Sequence, residues 1–179
     1  MQQTGCPNTV RMLDYRVGNN YTYIILELCT SDLKKLLVAN EHKLPEKVCL
    51  DILIHILEGF RVLLNKGYIH RDVKPENILI KDNVCKLADY GFTRKMDINR
   101  ETLKEVCGTP LYMAPQLIYS KEYSSKCDIW SLGIMFYEMI FGFSPWPTRH
   151  FDVYKRSIVT RPVSFPYGCE IGVNTKNFI

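Results

Sequence analysis

His70-Arg71-Asp72-Val73-Lys74-Pro75-Glu76-Asn77, followed by Asp89-Tyr90-Gly91, decides how this chain is read. It sets an acid, a lysine, an amide and a second acid at fixed spacings. An aspartate at Asp72 can orient a hydroxyl and take its proton. A lysine two residues on can screen a phosphate. Asn77 and Asp89 offer hard oxygen ligands of the kind magnesium prefers. Between them, the apolar runs Ile78-Leu79-Ile80 and Val84-Cys85-Lys86-Leu87 flank Lys81-Asp82-Asn83, which reads as a hairpin. Such a hairpin returns Asp89 to the neighbourhood of Asn77.

Working outward, Tyr21-Thr22-Tyr23-Ile24-Ile25-Leu26-Glu27-Leu28 is aromatic and β-branched and reads as a buried strand. Residues 10–16 are its hairpin partner, with Gly18-Asn19-Asn20 as the turn. Ser31 or Asp32 caps a short helix through Leu37 and Val38. Pro45 opens a long helix whose apolar positions Val48, Ile52, Ile56, Leu57, Phe60, Leu63 and Leu64 recur at helical spacing to about Lys66. Gly67 stops it. Residues 94–106 are polar and aperiodic and read as a mobile loop. Ser124 or Ser125 caps a second long, very apolar helix to about Phe141. The proline-rich tail holds one short helix near residues 152–158.

With 179 residues and 46% apolar composition, the chain has the length of one domain and enough material for a core. The net charge of +4 is mild, and the basic residues are spread along the chain. Nucleic acid is therefore not the expected partner. The seven cysteines form no C-x-x-C pair, so a zinc site is not expected. Their odd number and wide spacing fit reduced thiols and an intracellular, cytoplasmic protein. The first residues carry no charged-then-apolar leader. The most apolar stretch, residues 129–143, is interrupted by Ser131, Gly133 and Glu138 and is too short for a membrane span.

The string from His70 to Asn77, with Asp89-Tyr90-Gly91 and Gly108-Thr109-Pro110-Leu111-Tyr112-Met113-Ala114-Pro115, resembles the eukaryotic protein kinases. Lys74 with Gly108-Thr109-Pro110 is the serine/threonine pattern, and the texture is closest to calmodulin-dependent and Unc-51-like kinases. The resemblance implies an α+β, kinase-like fold and phosphoryl transfer from ATP with Mg2+ to serine or threonine of protein substrates. It makes Asp72 the catalytic base, Lys74 the residue reaching the transferred phosphoryl group, and Asn77 and Asp89 the metal ligands. Thr109 would bond Asp72 and Lys74. Asp128, in Asp128-Ile129-Trp130-Ser131-Leu132-Gly133, would hold the backbone of the His70-Arg71 turn. Glu27-Leu28-Cys29 resembles the adenine-binding hinge, used through the Glu27 carbonyl and the Cys29 amide. Leu26 would guard the back of that pocket and Leu79 form its floor. Asp32 would bond the ribose or cap the next helix.

Other positions depart from the family pattern. The chain contains no G-x-G-x-x-G and no V-A-I-K, and only five residues precede Cys6-Pro7-Asn8. The expectation is a partial kinase domain cut at both ends. Residues 1–29 would be the end of the β-rich lobe and the hinge, and residues 30–179 most of the helical lobe. The alternative is a binding or scaffolding module that keeps the fold without transfer. Tyr90 stands where phenylalanine is usual, so its hydroxyl needs a partner, while Gly91 completes the motif. Gln116 replaces a glutamate. In the family, the arginine before the catalytic aspartate pairs with a phosphothreonine two residues before the cysteine of Cys-Gly-Thr-Pro. Here Arg71 is that arginine and Glu105 holds that position. Thr102 is the alternative regulatory site.

Overall fold

The computed structural model describes residues 5–97, 101–147 and 150–179. The architecture is α+β. Two antiparallel strands, β1 (Met12–Val17) and β2 (Thr22–Leu26), come first, with Val17 opposite Thr22 and a register shift between Met12 and Asp14. Next are β3 (Ser31–Asp32), α1 (Leu33–Ala39), α2 (Glu46–Asn65) and β4 (Tyr68–Ile69). A 3-10 turn at Pro75–Asn77 leads into the hairpin of β5 (Ile78–Lys81) and β6 (Val84–Leu87). Then follow β7 (Arg94–Lys95), a 3-10 turn at Pro110–Tyr112, α3 (Pro115–Ile118), α4 (Lys126–Phe141), α5 (Phe151–Thr160) and α6 (Val173–Phe178).

The sequence explains most of these bounds. Asp32 is the N-cap of α1, its carboxylate accepting from the Lys35 amide at 2.8 Å. The helix α2 starts after Pro45 and ends at Lys66, where Gly67 takes a positive φ of 74° that glycine adopts without cost. Asp82 and Asn83 both have positive φ, the signature of a tight two-residue hairpin turn. The buried face of α2, Cys49, Ile52, Leu53, Ile56, Phe60 and Leu63, packs with Leu132, Met135, Phe136 and Met139 of α4 in the main core. Burying one such aliphatic or aromatic side chain contributes about 1.5–3 kcal/mol. Ile78 and Leu87, both fully buried, tie the β5–β6 hairpin to that core.

Some expectations fail for physical reasons. The strand β2 is exposed, not buried: Ile24 and Leu26 keep 63% and 47% of their surface. Among the described residues its only ladder partner is β1, and a β-rich apolar run says nothing about whether a layer covers it. Val48 and Leu57 lie off the core stripe of α2 and are partly exposed. Ser125 is the N-cap residue of α4 but makes no side-chain cap bond. Residues 94–106 are not simply a loop. Within them β7 pairs with β4, Met96 and Leu103 are buried, and Leu103 bridges Tyr123; residues 98–100 lie outside the described residues. With Ile69, Ala114, Leu117 and Cys127, these residues build a second small core. Helix α6 lies in the tail where only loop was expected beyond residue 160.

Candidate active site

The site forms where the turn after β4 meets the segment after residue 107. Asp128, on α4 and 2% exposed, fixes that turn. Its two oxygens accept the backbone amides of His70 at 2.7 Å and Arg71 at 2.8 Å. This support holds Arg71 at a φ of 72°, a region that costs most L residues energy. The buried His70 ring spans to Ala88, with Nε2 2.9 Å from its carbonyl oxygen. It also packs edge-on against Tyr90, ring centroids 5.7 Å apart. The Tyr90 hydroxyl donates to the Leu87 carbonyl at 2.8 Å, which supplies its partner. Gly91 donates its amide to Asp89 Oδ1 at 3.2 Å.

Around Asp72 the polar groups converge. Thr109 donates its hydroxyl to Asp72 Oδ1 at 2.8 Å, and Lys74 Nζ donates to Thr109 Oγ1 at 2.9 Å. The same ammonium pairs with Asp72 Oδ2 at 2.9 Å. Asn77 Nδ2 donates to the Asp72 carbonyl at 2.8 Å and to its Oδ2 at 3.1 Å. Burial pushes the Asp72 carboxyl up, but the bonds from Lys74 and Thr109 outweigh it and hold the group below its usual range. An ionised carboxylate offers about four lone-pair positions. Lys74, Thr109 and Asn77 use three, which leaves room for one more hydroxyl on Oδ1.

Gly108 lets the two segments touch. Its φ is 104°, and a Cβ there would lie 2.4 Å from the Arg71 carbonyl oxygen. No side chain fits.

Asn77 and Asp89 are brought together by backbone: the Ala88 amide donates to the Asn77 carbonyl at 2.9 Å. The Asn77 side-chain nitrogen is committed to Asp72, so its Oδ1 is the atom left for a cation. The Asp89 carboxylate is exposed, on a residue with φ 58°. One neutral and one charged oxygen suit magnesium, which keeps waters and substrate phosphates in its remaining positions. Among the described residues no cluster of three or more His, Cys, Asp or Glu exists to hold a metal by protein alone.

The hinge candidates are less uniform. Residues 27–29 follow β2 outside any strand. The Glu27 side chain faces away from a purely backbone role: it pairs with Lys86 at 3.1 Å and Lys81 at 3.3 Å, and also accepts the Arg11 amide at 2.9 Å. Burial pushes Glu27 up, yet the Arg11 amide and these lysines leave it below its ordinary value. The thiol of Cys29 is pushed up by burial. Leu79 is half-buried and sits across the ladder from Asp32. Asp32 caps α1 and pairs with Lys35 at 3.0 Å, so the capping role is the one its geometry displays. Leu26, Glu27, Lys86 and Asp89 line one open cavity of about 650 Å³.

The remaining residues concern the 92–109 segment. Arg71 Nη1 donates to Glu105 Oε2 at 3.0 Å, and Arg94 Nη1 to Glu105 Oε1 at 2.6 Å. These two arginines, Arg94 first, hold the Glu105 carboxyl below its ordinary value. Thr102 instead donates to Glu122 at 2.9 Å. Arg94, Tyr123 and Lys86 were not singled out in the sequence. No spacing rule ties Tyr123 to Arg71, and only the unusual Glu105 gave a signal that a cation would lie nearby.

Comparison with known proteins agrees with this geometry. The model of the protein kinase domain family matches residues 1–171, and the chain belongs to that family. Similar proteins include the serine/threonine-protein kinase TIO of Arabidopsis thaliana, 36% identical over 160 residues, covering 89% of this chain and 12% of that protein. The serine/threonine-protein kinase ULK3 of Xenopus laevis is 31% identical over 157 residues, 86% of this chain and 33% of its own length. Calcium-dependent protein kinase 5 of Plasmodium berghei (strain Anka) is 31% identical over 185 residues, 100% of this chain and 33% of its own length. The chain thus spans a third or less of the length of these relatives. The family uses ATP with magnesium and acts on proteins. Among the described residues no helix is long and apolar enough to cross a membrane.

Proposed function

We propose that this chain carries the phosphoryl-transfer centre of a serine/threonine protein kinase. The observation that carries the reading is the closed set Lys74–Thr109–Asp72–Asn77, with every contact between 2.8 and 3.1 Å. In this reading Asp72 orients the hydroxyl of a protein serine or threonine at its spare acceptor position and takes the proton late. Its depressed pKa suits an orienting base more than a strong one. Lys74 lies against both Asp72 and Thr109, where its charge offsets that developing on the transferred group. Asn77 and Asp89 would hold magnesium, which supplies charge neutralisation on the phosphates when bound. Thr109 positions both Asp72 and Lys74 through one hydroxyl.

The adenine would lie along residues 27–29 over Leu79, with Leu26 behind it. Residues 1–29 would represent the end of a β-rich lobe with its hinge, and residues 30–179 most of a helical lobe. The main core built from α1, α2, α4 and the β5–β6 hairpin supports that division. All seven cysteines are free, which supports an intracellular setting. The scaffold alternative is less well supported, because a module without transfer has no need for this hydrogen-bonded set.

The test uses a protein containing this chain, γ-labelled ATP, magnesium and a generic basic protein. Label on serine and threonine that disappears with a chelator is the expected result. Label confined to tyrosine, or none at all, overturns the reading.

A further inference from the structure

Tyr90 carries an oxygen that the phenylalanine usual at this place does not have. Its hydroxyl donates to the Leu87 carbonyl at 2.8 Å. That carbonyl also accepts the Val10 amide at 2.9 Å, so both of its lone pairs are used. The Leu87 amide in turn donates to the Asn8 carbonyl at 2.9 Å, and Thr9 bridges Leu87 in parallel. Residues 8–10 thus run along β6. Helix α2 presses on them closely, since a Cβ on Gly59 would lie 2.6 Å from the Asn8 carbonyl oxygen. The Tyr90 hydroxyl is therefore attached to a seam between β6, residues 8–10 and α2.

Asp89 stands between a fixed residue and Tyr90. Ala88 is held at both backbone groups, its amide by the Asn77 carbonyl at 2.9 Å and its carbonyl oxygen by His70 Nε2 at 2.9 Å. Asp89 has no comparable anchor. It is exposed, its φ is 58°, and among the described residues its carboxylate has one partner, the Gly91 amide at 3.2 Å. A positive φ at such a residue persists only while its surroundings impose it. Tyr90 is the neighbour that can do so. Its ring packs partly buried against the main core and edge-on to His70. Its carbonyl accepts the Thr93 amide at 3.0 Å, a local bond that travels with Tyr90. Asp89, Tyr90 and Gly91 also line the open cavity of about 650 Å³, so the ring has space to swing out. On leaving, it would give up its packing and the bond to Leu87.

We propose that the Tyr90 hydroxyl is a pin that keeps Asp89 at the side of Asn77, in position to share a cation with it. The proposal rests on the reading of Asn77 and Asp89 as the magnesium ligands. Tyr90 is a positioning residue, since it acts through the backbone of Asp89. Phenylalanine would supply the same ring packing, so the pin is the hydroxyl alone.

The test has two arms and uses a protein containing this chain. Tyr90→Phe removes one oxygen and keeps the ring, whereas Tyr90→Leu removes both. In the first arm, amide exchange is followed without nucleotide or metal. Losing one neutral hydrogen bond changes an opening equilibrium by about three- to tenfold, so the Gly91 and Thr93 amides should exchange that much faster in Tyr90→Phe. They should exchange faster still in Tyr90→Leu, with the distant Gly18 amide of the β1–β2 turn unchanged. Gly91 and Phe92 are exposed, so this stretch exchanges by local opening and a general loss of stability would leave it alone. Unchanged exchange at Gly91 and Thr93 in Tyr90→Phe overturns the pin, whether or not any preparation transfers phosphate.

In the second arm, transfer is measured across a titration of free magnesium at saturating ATP. A ligand held in place for less of the time lowers the apparent affinity, so half-saturating magnesium should rise at least about threefold in Tyr90→Phe. At saturating magnesium, kcat and KM for the protein substrate should stay within about twofold of wild type. An unchanged magnesium dependence, or a fall in kcat that excess magnesium does not restore, overturns the proposal. Absence of transfer in every preparation tells against the kinase reading, and the first arm then decides the pin alone.

Discussion

Replacing Asp128 with alanine removes both acceptors that fix the His70-Arg71 turn. A hydrogen bond to a charged group contributes about 1.5–3 kcal/mol, and an orphaned buried amide costs a similar amount. Two such bonds set the loss at about 3–6 kcal/mol. Burial pushes the Asp128 carboxyl up, so its removal also relieves a desolvation cost. That relief places the net loss near the lower end, about 3 kcal/mol. A domain of this size shifts its Tm by ~2–4 °C per kcal/mol, so the expected drop is about 6–12 °C. Asp128→Asn keeps one acceptor oxygen and sets its NH2 against the other amide, so it should lose at least half as much. Urea unfolding followed by fluorescence of Trp130 and Trp146 gives the free energies directly. A loss below about 1 kcal/mol in Asp128→Ala would refute the reasoning, because it would mean the His70 and Arg71 amides do not depend on this carboxylate.

Other consequences follow from the same geometry. Gly108→Ala should both destabilise the chain and abolish transfer, because its Cβ would meet the Arg71 carbonyl oxygen at 2.4 Å. Thermal melting and a transfer assay check it, and a variant with unchanged Tm and rate would contradict the close approach. For Asp72, the folded pKa lies below the ordinary carboxylate value, so its contribution to stability is present above the unfolded pKa of ~3.9 and is lost as pH falls through the lower folded one. The stability gap between wild type and Asp72→Asn should therefore be flat from about pH 5 to 8 and close below about pH 4. Urea midpoints across that range measure it. A gap that closed near neutral pH would show that Lys74 and Thr109 do not hold the carboxylate as the distances say.

Much of the fold was legible because local chemistry and tertiary packing agree. The stripe Ile52, Ile56, Phe60 and Leu63 announced α2, and the core uses those same residues. Asp32, Pro45, Gly67 and the Asp82-Asn83 turn marked ends that depend only on local backbone. The strand β2 was misread as buried because Ile24 and Ile25 have the composition of a core strand, and composition carries no information about a covering layer. Residues 94–106 read as a mobile loop because the order of the described ones, 94–97 and 101–106, comes from contacts distant in sequence: Met96 with Gly67, Leu103 with Tyr123, Glu105 with Arg71. No period records those. The site divides the same way. Asp72, Lys74, Asn77 and Asp89 stood out as a string of polar types at fixed spacing. Arg94 and Tyr123, which complete the surroundings of Arg71, have no such string.

The central claim is that Asp72 does the work of the base within the Lys74–Thr109–Asn77 set. The direct measurement is the single-turnover rate of phosphate transfer by a protein containing this chain, wild type against Asp72→Asn, at saturating magnesium and ATP. Asparagine keeps the size and an acceptor for Thr109 but cannot take a proton, so the rate should fall by about 10²–10⁴-fold with nucleotide affinity retained. An Asp72→Asn protein that transfers phosphate as fast as wild type would contradict the assignment.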